Sequence, residues 1–159
     1  MKFIEQSLPG VFLIESEPFI DDRGAFRRHF CQDEFKKHGI ANEVQQANVS
    51  ENKYAYTLRG FHYQLAPFGE GKTLSCLKGK IYDIIVDLRK DSPTYMKWIS
   101  FELNDENRHS IHIAPGCANA FLTMTDGCLI QYYCSQSYSP KHERGIRYND
   151  AAFDFKWPH

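Results

Sequence analysis

From Gly10 to Ser135 the chain returns to short runs of β-branched and aromatic residues cut by Gly, Pro and Asp. They are GVFLIESEPF, EVQQANVS, KTLSCLKGKIYDIIVDL, MKWISFEL, SIHIAPG, NAFLTM and CLIQYYCS. Strand-like runs at this spacing predict an all-β fold, an antiparallel sandwich or barrel. Only DEFKKHGI reads as helical, with a cap at Gln32 or Asp33 and a glycine stop at Gly39. In KIYDIIVDL, alternation puts Tyr82, Ile84, Val86 and Leu88 on one face and Ile81, Asp83, Ile85 and Asp87 on the other. Two acids interleaved with isoleucines suggest a half-polar pocket or an interface; a solvated face is the plainer alternative.

The 159 residues are the size of one domain, and no repeat, low-complexity tract or Pro/Ser-rich linker divides them. Residues 1–159 are therefore read as a single domain. A formal net charge of −1 argues against nucleic acid or acidic lipid as a partner, since both select a strong positive excess. No apolar run approaches the roughly 18 residues of a membrane span. The opening MKFIEQSLPG has Glu and Pro where a signal peptide needs its apolar segment, so a soluble, cytoplasmic protein is expected. Five cysteines, an odd number without a Cys-x-x-Cys pair, oppose both a disulfide framework and a zinc knuckle. Four of them sit in apolar stretches, where cysteine is a small core residue.

The residue types that carry chemistry narrow the choice. The close histidine pair His109 and His112 is spaced by three, which in a strand turns the side chains to opposite faces, so no metal site is expected. No Gly-x-Ser-x-Gly elbow is present, and GEGK at 69–72 lacks the spacing of a phosphate-binding loop. What remains is His62, whose ordinary pKa suits proton abstraction at neutral pH, Lys72, a cation suited to an oxyanion, and Tyr132, Tyr133 and Tyr138 as proton donors. Base, cation and acid fit proton abstraction beside a carbonyl. Spacing leaves open whether these residues converge and which tyrosine acts.

Read in order, GVFLIE…DDRGAF, QANVS, LRGFHYQ, GKTLSCLKGKIYDIIVDLRKDSPTYMKW, ELNDEN, IAPGCANAF and YYCSQSYSPKHERGIRYND…FKWP resemble the dTDP-4-dehydrorhamnose 3,5-epimerase family over nearly the whole chain. The resemblance implies a cupin-like antiparallel β-jelly roll of two packed sheets, a homodimer, and no metal or other cofactor. It implies a nucleoside-diphosphate sugar as substrate, inverted at C3 and/or C5 of a 4-keto-6-deoxyhexose. His62 of the RG-x-HYQ motif would be the base, Lys72 would lie at the sugar, and Tyr132, six residues before Tyr138-Ser139-Pro140, would be the acid. Arg23 and Arg59 resemble diphosphate-binding arginines, Gln46 and Asn48 stand in a Q-D-N segment, and Glu143 stands at a binding acid. Gly60, between Arg59 and His62, is where a bulge would bring both side chains into one site.

The chain departs from the family pattern at three expected binding positions: Ala47 replaces an Asp, Arg28 an acid, and Asn119 a His. It also ends at FKWPH, where the family continues into a tail whose Asp orients the catalytic histidine. On pattern, Asp83 is the acid nearest to taking that role. Two alternatives share the motifs: a sugar-nucleotide keto-isomerase using the same enolate, and a non-catalytic sugar-nucleotide-binding module.

Overall fold

The structure, a computed structural model, describes residues 1–40 and 43–159. Its strands are β1 (Lys2–Glu5), β2 (Phe12–Glu15), β3 (Phe19–Asp21), β4 (Gly24–Phe26), β5 (Gln46–Asn52), β6 (Leu58–Gln64) and β7 (Lys72–Lys78). They continue as β8 (Lys80–Asp87), β9 (Trp98–Asn104), β10 (His109–Ile113), β11 (Cys117–Thr123), β12 (Cys128–Cys134) and β13 (Glu143–Gly145). One sheet has the order β1-β2-β10-β7-β12-β5, a second β13-β6-β11-β8-β9, and β3 and β4 form a separate ribbon. Every pairing is antiparallel. The two packed sheets are the jelly roll implied by the strand pattern and the family motifs. The long run KTLSCLKGKIYDIIVDL splits at Gly79 into β7 and β8.

Between the sheets, Leu74, Cys76, Ile111, Ile113, Cys128 and Ile130 of one meet Ile81, Ile85, Leu103, Cys117 and Phe121 of the other. The opposite face of β8 is covered as well: Ile84 and Val86, with Phe61, Ala118 and Ala120, lie under Phe153, Phe155 and Trp157 of the C-terminal segment. Burial on both faces explains why β8 and β11 lack a polar side. The indole N–H groups of Trp98 and Trp157 donate to the carbonyls of Phe153 and Tyr148, fixing that segment. All five cysteines are free, and Cys76, Cys117, Cys128 and Cys134 are buried.

The helix α1 (Gln32–Lys37) packs Phe35 beside Ile14 and Ile40. Its N-cap is Cys31, without a side-chain cap bond, so neither Gln32 nor Asp33 caps it. Phe35 is fully buried at the first turn, and the packing of that ring sets where the helix begins. No helix among the described residues is long and apolar enough to cross a membrane.

Candidate active site

Two adjoining cavities of about 370 and 390 Å³ open between the sheets and share His62, Lys72 and Tyr132. His62 comes from β6 in one sheet, Lys72 and Tyr132 from β7 and β12 in the other. Tyr132 pairs with Asn48 and Cys134 with Gln46. Alternation therefore turns Gln46, Asn48, Tyr132 and Cys134 into the first cavity together and Ala47 and Tyr133 outward. Tyr133 packs against His29 and Phe30 on the far side of the sheet. Of the three tyrosines that sequence left open, Tyr132 and Tyr138 line the cavity.

Arg59 and His62 both line the second cavity because β6 is irregular. Asn119 of β11 pairs with His62, whereas the adjacent Ala120 pairs with Gly60, so Phe61 is an inserted residue. Gly60 carries the bulge at φ +107°. A Cβ there would lie 2.5 Å from the Asn119 carbonyl oxygen and 2.8 Å from the Ala120 Cα, so only glycine fits. Phe61 is thereby sent outward beneath Phe155, at a ring-centroid distance of 4.6 Å. Arg59 is held by its Nε donating to Asn52 Oδ1 at 2.6 Å.

The acid beside His62 is Glu143, not Asp83. Pairing of β13 with β6 sets Gly145 opposite His62 and Glu143 opposite Gln64. Glu143 Oε1 stands 3.1 Å from His62 Nδ1, and its Oε2 accepts the Tyr138 hydroxyl. Asp83 is fully buried, and its Oδ1 accepts from Asn119 Nδ2 at 3.0 Å. Its Oδ2 has no hydrogen-bond partner in the structure. Burial pushes the Asp83 carboxyl up to about 7, against the opposing pull of the Asn119 amide and the Lys72 charge.

Between the ordinary value of 3.8 and about 7, the folded chain keeps a proton that the unfolded chain releases. This group's contribution to stability therefore falls as pH rises through that window. Asp83→Asn should flatten the dependence. In denaturant titrations at pH 5 and pH 8 the parent should lose about 2–4 kcal/mol more than the variant. Equal losses would show that Asp83 does not titrate there.

Lys72 Nζ lies 5.2 Å from the Tyr132 ring centroid and 3.8 Å from Glu70 Oε1. Burial raises the Tyr132 hydroxyl above its ordinary value, so it stays protonated and able to donate at neutral pH. Glu70, which no sequence motif singled out, lines the first cavity two residues before Lys72. Arg23 and Arg28 do not line either cavity. Arg23 pairs with Asp21 on the exposed β3–β4 ribbon, and Arg28 with Glu34 of α1. Asn119 lines the second cavity.

A family model for dTDP-4-dehydrorhamnose 3,5-epimerase matches residues 5–159. A protein of that name from Methanothermobacter thermautotrophicus is 37% identical over 157 residues, covering 99% of this chain and 84% of that protein. The crystal structure of the Bacillus anthracis dTDP-4-dehydrorhamnose 3,5-epimerase with TDP and PPi bound superposes with a TM-score of 0.95 at 34% identity, covering 99% of this chain and 90% of that one. A 3′-monoepimerase from Streptomyces bikiniensis, in complex with dTDP-quinovose, superposes with a TM-score of 0.90 at 30% identity, covering 96% and 77%.

Proposed function

Because the chain belongs to the dTDP-4-dehydrorhamnose 3,5-epimerase family, we propose that it inverts C3, C5 or both of a dTDP-linked 4-keto-6-deoxyhexose, with His62 as base and Tyr132 as acid. The observation that carries the assignment of roles is that His62 and Tyr132 reach one cavity from opposite sheets, with Lys72 beside Tyr132. The ketone acidifies the hydrogens on C3 and C5. The carboxylate at His62 Nδ1 favours the tautomer protonated there, leaving Nε2 to take such a hydrogen from one face of the ring. Lys72 offsets the charge that develops on the enolate oxygen. The half-buried phenol of Tyr132 returns a proton to the other face, which inverts the centre. Arg59, Gln46 and Asn48 line the cavity walls, where their donors suit the diphosphate and the sugar hydroxyls.

Incubation with dTDP-4-keto-6-deoxyglucose in heavy water, followed by proton and carbon NMR, tests the reading. Deuterium should enter C3, C5 or both, with inversion there and the ketone still at C4. A ketone at C3 would mark a keto-isomerase. Binding without exchange at either carbon would mark a non-catalytic module.

The homodimer belongs to the same proposal. Phe19, Ile20 and Phe26 of the β3–β4 ribbon are 78%, 67% and 73% exposed, an apolar surface that a second copy would cover, and Arg23 rides on that ribbon. Light scattering should return twice the chain mass; the mass of one chain would contradict it. Five free cysteines, four of them buried, suit the reducing cytoplasm to which we assign the enzyme. Fractionation of the source cells that left the protein outside the cytosol would contradict that assignment.

A further inference from the structure

Glu70 stands between Gly69 and Gly71 in the loop that leads into β7, and it lines the first cavity with His62, Lys72 and Tyr132. Its side chain is 16% exposed, as is that of Lys72, the cation paired with it. Cys134 lines the same cavity, and burial, followed by the nearby Glu70 charge, pushes its thiol up to about 12. A half-enclosed carboxylate here partly neutralises the one cavity cation assigned to the enolate, so its presence works against the chemistry unless it holds something. A carboxylate in such a place needs donors to replace lost water. Lys72 Nζ stands 3.8 Å from Oε1, an ion pair too long for a hydrogen bond, so the carboxylate of this cavity-lining residue keeps acceptor capacity.

Place the sugar's C4 oxygen at Lys72, as proposed above. The groups that then flank it are the hydroxyl on C3 and the methyl-bearing C5. Against the methyl side, the carboxylate would be desolvated with nothing to accept from. Against the C3 side, it meets a hydroxyl, and a hydroxyl–carboxylate hydrogen bond is among the stronger kinds.

We propose that Glu70 is a specificity-determining residue that accepts a hydrogen bond from the 3-hydroxyl of the sugar and so orients C3, rather than C5, toward His62. The inference rests on Lys72 lying at the ketone. It goes further by assigning one carboxylate to one side of the ring.

The test compares the parent chain with Glu70→Gln and Glu70→Ala, reading deuterium uptake at C3 and C5 separately, and kcat/KM for the 4-keto-6-deoxy sugar against its 3-deoxy counterpart. Binding of dTDP alone, titrated by calorimetry, verifies that both variants are folded. The parent should prefer the 3-hydroxyl sugar by roughly 10- to 100-fold, the worth of a hydrogen bond to a charged group, and Glu70→Ala should lose that preference. Uptake at C3 should fall by a similar factor while uptake at C5 stays within about threefold. Equal falls at both carbons, no fall at either, an unchanged preference, or a parent that exchanges at C5 alone would each overturn the proposal. A parent that exchanges at neither carbon would instead overturn the reading of the site itself.

Discussion

His62→Ala is expected to abolish deuterium uptake at both C3 and C5, lowering the rate by about 10²- to 10⁴-fold. The imidazole, on β6, lines both cavities with Tyr132 and stands within reach of Glu143. Its side chain is 59% exposed, so alanine leaves no packing void and the fold should survive. The affinity for dTDP should change little, because the groups suited to the diphosphate are other residues. If His62→Ala retains uptake within about tenfold of the parent, the base is another group and the cavity has been read wrongly. Loss of dTDP binding along with uptake would point to a structural role instead.

The second large effect is on the backbone. Gly60→Ala must either move the Asn119 and Ala120 main chain, which the new Cβ would meet at 2.5 and 2.8 Å, or undo the bulge. An alanine at φ +107° is strained in addition. Together the overlap and the strain should destabilise the fold by about 2–5 kcal/mol, lowering the melting midpoint by roughly 5–15 °C. Undoing the bulge would also flip Arg59 relative to His62, because a one-residue register change reverses faces. Activity should therefore fall further than the loss of folded protein accounts for. A variant that melts within 2 °C of the parent and turns over normally would show that the bulge positions nothing.

Much of this was readable from the chain because strands announce themselves by alternation. The split of Ile81 and Ile85 from Ile84 and Val86 in KIYDIIVDL is the split between the inter-sheet core and the outer cluster. What was not readable depended on partners far apart in sequence. Asp83 reads as a candidate partner for His62, yet β8 lies two strands from β6, with β11 between, and its side chain bonds Asn119 of β11 instead. Glu143 reaches His62 only because β13 adds to the edge of β6, a pairing of residues about eighty positions apart that no local pattern encodes. Ala47 counts as a lost binding residue from sequence, but β5 turns it away from the cavity. The cap of α1 was missed for a similar reason, since tertiary packing of Phe35 overrode the local signal.

The central claim is that one proton leaves from the His62 face and another arrives from the Tyr132 face. Tyr132→Phe separates the two events: it removes only the hydroxyl, keeping the ring over which Lys72 sits. Proton NMR of substrate held with this variant in heavy water reads exchange and configuration in one spectrum. The expected result is washout of the C3 or C5 hydrogen with little inverted product, because His62 still removes and returns hydrogen on its own face. Inversion at the parent's rate would contradict the assignment and move the acid to Tyr138 or to solvent.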